Sequence, residues 1–197
     1  MRFCQAGSVP RECPFEDRGA VETAPGFGAA NLLRLGSRVR PRFIGPEADE
    51  VTYPVHVILR YELEQALLSG ALPVAELPEA GDQAMRSGLG IATGDDHRDG
   101  CMQDAHWAAG MIGYFPSCTL GATIAAQLMA AFEQEHPDFD RDMRRGGFSA
   151  MAAWLDARIW SRGSELPFEA FLVEATGRLL APACFTAHLR RRYLAAC

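Results

Sequence analysis

Gly100-Cys101-Met102-Gln103-Asp104-Ala105-His106-Trp107, followed by Gly113-Tyr114-Phe115-Pro116, gathers the side chains of this sequence best suited to chemistry. His and Tyr both donate hydrogen bonds to an oxygen that gains charge during acyl-group reactions. His106 and Tyr114 are the side chains of this run able to act so, and Gln103 and Asp104 suit a polar site facing a buried cleft beside them. Each has a plainer reading. His106 can be a buried histidine satisfied by Asp104 or backbone, and Tyr114 can pack in the core with its hydroxyl paired internally. Gln103 and Asp104 can simply brace the local turn.

The remaining polar groups point less sharply to a site. Glu47 and Asp49 form a conceivable carboxylate pair, but placement at a helix N-terminus explains acidic residues equally well. His97, Cys101 and His106, with Asp95, Asp96 and Asp99 nearby, match no standard zinc spacing. His56 stands among apolar helical neighbours and reads as structural, His136 and His188 as surface or helix-end residues. Trp107, Trp154 and Trp160 read as core or interface.

The elements that must position these residues are helical, and no segment alternates as a strand does. Val51, Val55, Ile58, Leu59, Ala66 and Leu67 define one helical face that Gly70 can end, and a shorter helix is expected from Pro78 to Ser87. Leu120, Ile124, Leu128, Ala131 and Phe132 repeat at helical spacing until Pro137. Ser149 is placed to cap a helix carrying Met151, Trp154, Leu155 and Ile159. Phe168, Phe171, Leu172 and Ala175 precede Gly177. Pro182 opens a last helix expected to bury Phe185, Leu189 and Tyr193. The predicted fold class is all-α, over residues 31–197. Residues 1–30, broken by proline and glycine, read as an irregular N-terminal arm.

A net charge of -6 argues against nucleic acid, which demands a concentrated basic surface. Arg190-Arg191-Arg192 reads as a solvated helix face. The most apolar run, Leu120 to Phe132, is short for a bilayer span and holds Gln127, so no membrane segment is expected. No apolar stretch follows the first residues as in a secretory signal, and six cysteines lack short paired spacings. A cytoplasmic setting with free thiols is the expectation.

The two motifs together, with Leu120-Gly121, resemble the GxxQDxHW and GYFP segments of the thermostable carboxypeptidase (carboxypeptidase Taq) family of zinc metallocarboxypeptidases. Ala48-Asp49-Glu50-Val51-Thr52-Tyr53-Pro54 and His56-Val57-Ile58-Leu59-Arg60-Tyr61-Glu62 resemble the region of the family's IRxxAD motif. The similarity continues through Gly147-Phe148-Ser149, Trp154-Leu155 and Ala175-Thr176-Gly177 to Tyr193. The resemblance implies an almost wholly helical, elongated peptidase that releases single amino acids from peptide C-termini. It implies a zinc held by two histidines of an HExxH helix and a later glutamate, with His106 and Tyr114 holding the carbonyl oxygen as it becomes an oxyanion.

Three departures bear on activity. No two of His56, His97, His106, His136 and His188 are four residues apart, so HExxH is absent and this chain offers no metal ligands. Gly45 occupies the place of the IRxxAD arginine, whose guanidinium fork would help hold a terminal carboxylate. Cys118 stands where the family commonly has a second Tyr. If that Tyr is the oxyanion donor, its loss costs about 10²–10³ in rate. The expected function is thus the C-terminal, substrate-cleft portion of a metallocarboxypeptidase, inactive alone, with a zinc-binding half in trans or a homodimer partner. The alternative is a non-catalytic helical protein that binds peptides or a partner.

Overall fold

A computed structural model describes residues 28–94 and 96–194, and the expected N-terminal arm lies almost wholly outside them. The described residues form nine α-helices and no strand. The expected all-α class holds. Contacts divide the chain at Arg38/Val39, and the first unit contributes α1, Ala29–Gly36.

The second unit, from Val39 on, holds the site. A 3₁₀ turn at Gly45–Glu47 leads to α2, Tyr53–Leu68. Asp49 sets the entry. Its Oδ1 accepts the amides of Val51 and Thr52 at 3.0 and 2.9 Å, and its Oδ2 accepts the Thr52 hydroxyl and the Arg40 amide. Burial alone would raise the Asp49 carboxyl, but these hydrogen bonds outweigh it and hold the group below its ordinary 3.8. The acidic residue serves a helix start, and Pro54 sits in the first turn where its missing N–H costs nothing. Gly70, at φ +75°, reverses the chain after α2.

Helix α3, Leu77–Leu89, is longer than the predicted Pro78–Ser87 and ends on Gly90 in the left-handed region. It packs on α2 through Leu59, Met85 and Leu89, with Val55, Ala84 and Ile91 around them. The approach is close at Gly88, where a Cβ would stand 3.1 Å from side-chain atoms of both Val55 and Leu59. Ile58, assigned to the inner face by periodicity, is half exposed instead.

After the short helix α4, Ala105–Ala108, comes α5, Phe115–Glu135. It begins inside the GYFP segment, earlier than the apolar run suggested, and by length and composition it is long and apolar enough to cross a bilayer. That corrects the expectation that no such segment exists. In this fold α5 is the central helix, packed against α2, α8 (Phe168–Thr176) and α9 (Pro182–Tyr193). Its buried positions are Phe115, Thr123, Gln127 and Phe132, while Leu120 faces outward. Phe132 joins α6, Phe139–Met143, and α7, Ser149–Arg158, in a second core with Phe139 and Trp154. Ser149 is the first residue of α7 and makes no capping hydrogen bond. Gly177 closes α8 at φ +77° as predicted, and Phe185, Leu189 and Tyr193 on α9 are half-buried. Arg191 and Arg192 are committed to Glu133 and Glu50, so the arginine run is no open basic patch.

Candidate active site

A polar ladder on α2 organises the site. His56, Arg60 and Glu64 follow one another at i, i+4 and i+8, which stacks them on one helical face, and all three are buried. Each meets a different part of the two motifs.

Arg60 pairs with Asp104 through its Nε, both side chains being almost fully withdrawn from water. Glu64 accepts the indole N–H of Trp107 at 2.8 Å on one oxygen and the Gly113 amide at 2.8 Å on the other. His56, 2% exposed, has no hydrogen-bond partner on either ring nitrogen. Burial first, then the neighbouring Arg60 charge, lower its pKa below 6.5 against the weaker pull of the Arg42 backbone and of the Asp104 and Asp49 charges. This histidine is held neutral.

Gln103 ties the GxxQDxHW segment to the turn before α2. Its Oε1 accepts the Gly45 amide at 3.0 Å, and its Nε2 donates to Phe43 O at 2.8 Å and to Asp99 O at 2.6 Å. Its amide group is thereby engaged within the protein, in the bracing arrangement. Asp104 orients through Arg60. It lies 3.7 Å from His106 Nδ1, too far for a hydrogen bond.

His106, on α4, and Tyr114, just before α5, are brought together. Their rings stack with centroids 5.3 Å apart and planes 25° from parallel, and Phe115 lies 4.8 Å from the same imidazole. Tyr114 is exposed at the rim, while His106 Nδ1 is buried and unpartnered. The loop between them turns through Gly110 and Gly113, at φ +72° and +80°, and Met111 N–H donates to His106 O at 2.8 Å. His106 lines a small pocket, and an imidazole there can donate to an oxygen that gains charge, while Tyr114 reaches the site only through its stack on His106.

That pocket, about 30 Å³, is lined among others by Gly45, Tyr53, His56, Asp104, His106 and Cys118. Both positions that depart from the family pattern, Gly45 and Cys118, therefore open on the same space. Tyr53 supplies a phenol there that sequence reasoning passed over. Burial, then its hydrogen bond with Cys118 and the charge of Asp104, push it up to about 12, so it stays protonated. Also missed were the pairing roles of Arg60 and Glu64. The signal was present: three ionisable residues spaced four apart on one face of the helix.

The zinc implied by the sequence resemblance finds no ligand set. Among the described residues no group of three His, Cys, Asp or Glu side chains could hold a metal ion. The idea of a separate centre around His97, Cys101 and His106 fails on that count, with Asp95 outside the described residues. Cys101, Cys118 and Cys184 are free thiols.

Comparison with known proteins bears on the family and the fold. The family model described as carboxypeptidase Taq (M32) metallopeptidase matches residues 22–193. Thermostable carboxypeptidase 1 of Thermus thermophilus is 41% identical over 157 residues, 80% of this chain and 31% of the relative. Carboxypeptidase 1 of Bacillus subtilis is 37% identical over 163 residues, 83% of this chain and 32% of its own length. Among solved structures, Trypanosoma cruzi metallocarboxypeptidase 1 superposes with a TM-score of 0.83 at 41% identity, covering 86% of this chain and 36% of that one. The M32 carboxypeptidase of Deinococcus radiodurans gives 0.80 at 34% identity, covering 83% and 33%. The chain spans about a third of the length of these relatives. With the motif order, the all-helical fold and these matches in agreement, the chain belongs to the carboxypeptidase Taq (M32) metallopeptidase family.

Proposed function

We propose that this chain forms the carbonyl-holding wall of a metallocarboxypeptidase site that cleaves single residues from peptide C-termini. The observation that carries the reading is His106 on the pocket, stacked on Tyr114, with the neighbouring Asp104, Trp107 and Gly113 held by Arg60 and Glu64 of α2. His106 and Tyr114 donate to the oxygen of the scissile amide as it gains charge, and Tyr53, protonated through neutral pH and engaged with Cys118, lines the same pocket. The family implies a metal, and the residues described here do not fit one. A further segment carrying the metal ligands and the base completes the site, and the chain is inactive by itself.

Complementation tests this. The portion of Thermus thermophilus thermostable carboxypeptidase 1 that this chain does not match is mixed with the chain and Zn²⁺. Release of amino acids from a short unblocked peptide is then followed. Turnover should need both polypeptides and cease on chelation. Release by the chain alone in the presence of a chelator would overturn the reading. Tight peptide binding in a stable mixture that never turns over would favour a binding role instead.

A further inference from the structure

We propose that Glu64 is the positioning residue for the His106–Tyr114 pair, one carboxylate clamping the chain next to each ring. A carboxylate can accept two hydrogen bonds on two oxygens, which an amide cannot. Glu64 is 1% exposed, and among the described ion pairs none offers it a cation. Burying a charge on neutral donors alone is costly, so a residue chosen only to fill space would be apolar. Glu64 instead presents two acceptor oxygens to two N–H groups. The Trp107 indole takes one and the Gly113 amide the other, each at 2.8 Å. A glutamine has a single acceptor oxygen and would turn its own N–H₂ against one of these donors.

The two donors are the immediate neighbours of the reactive pair, since Trp107 follows His106 and Gly113 precedes Tyr114. The loop joining them passes through two glycines with positive φ, a flexible connection that would not by itself hold the rings 5.3 Å apart. One turn earlier on α2, Arg60 fixes Asp104, so the same helix face secures the start of the segment as well. The geometric claim stands on these contacts. Its catalytic consequence rests on the function proposed above.

The test has two arms. In the full chain, the ring resonances of His106, labelled with ¹³C-histidine and assigned with His106→Gln, report the stack with Tyr114. Glu64→Gln should move them toward exposed-histidine positions. Gln127→Ala removes an equally buried side chain about 18 Å further along α5, and should lower the melting temperature without moving them. Should Glu64→Gln fail to fold, Trp107→Phe removes one of the two bonds while leaving the carboxylate, and should shift the same resonances by less. Unmoved His106 resonances in a folded Glu64→Gln, or in Trp107→Phe, would overturn the proposal. In the complemented enzyme, Glu64→Gln should lower kcat by about 10- to 100-fold, with KM within about twofold. Unchanged kcat in a stably assembled variant also overturns it. Absence of turnover with the wild-type chain counts against the proposed function alone, and the resonance arm then decides the positioning claim.

Discussion

At the scale of single residues, two substitutions relative to the family pattern meet in one pocket. By the resemblance to the family's IRxxAD motif, Gly45 takes the place of an arginine expected to hold a substrate carboxylate, and its backbone does not demand glycine, since its φ is not positive. A Cβ built there would meet His56 at 3.6 Å, an ordinary contact. In the complemented enzyme, Gly45→Arg should therefore lower KM for peptides with a free C-terminus by about 10- to 100-fold, the worth of a charge-assisted hydrogen bond. Amidated peptides should gain nothing, and equal gains on both would exclude carboxylate recognition. His56, beside it, makes a separate prediction about stability. Burial, then Arg60, keep its folded-state pKa below 6.5, so below that pH the unfolded chain binds a proton that the fold refuses. The stability it permits is present above pH 6.5 and decays as the pH falls toward its lowered value. Urea midpoints for wild type and His56→Gln should converge on lowering the pH from 7.5 to 5.5. Parallel loss in both would remove His56 as the cause.

At the scale of elements, α5 shows how a helix hydrophobic on nearly every side is fixed in place by one polar residue. Gln127, 1% exposed, donates to Thr176 Oγ1 at 2.8 Å and to the carbonyls of Arg178 and Leu179 at 3.2 Å. Its Oε1 accepts the Ala181 amide at 2.8 Å, so it satisfies the turn between α8 and α9. Gln127→Leu should cost about 2–4 kcal/mol in denaturant unfolding, because it strands several of these buried partners. A loss below 1 kcal/mol would show that water replaces the amide. This residue also marks where sequence reading stopped. The six longer helices from α2 on were legible, because apolar residues recur at helical spacing and Gly70 and Gly177 follow two of them in the left-handed region, whereas α1, α4 and α6 were not read individually. Which face turned inward was not. Ile58 and Leu120 fit the periodicity yet face outward, whereas Thr123, Gln127, Arg60 and Glu64 are buried because they satisfy particular partners that no periodicity encodes. The site divides the same way. His106 and Tyr114 were visible from motif spacing, while the α2 ladder that holds them was hidden by treating His56 as one more core residue.

At the scale of the whole molecule, the outer face of α2 carries a stripe of exposed apolar residues. Ile58, Tyr61 and Leu68 lie at i, i+3 and i+10, on one stripe, and are 50%, 43% and 62% exposed. The loop fastened to α2 at Glu64 adds Met111, Ile112 and Tyr114 to the apolar surface. Single exposed apolar residues are ordinary, but a continuous stripe beside a rim of this kind marks an interaction face. On the function proposed above, a segment completing the site would approach from the Tyr114 rim, where its substrate oxygen would come within about 3 Å of a donor. The isolated chain should accordingly self-associate, and sedimentation should show apparent mass rising with concentration. Replacing Tyr61 with Ser and Leu68 with Gln, both exposed on α2, should shift it toward monomer without lowering its melting temperature by more than a few degrees. The same double variant should weaken complementation by the metal-bearing segment, because both forms of association draw on one face. A double variant that stays associated yet still complements at wild-type concentration would place the contact elsewhere on the bundle.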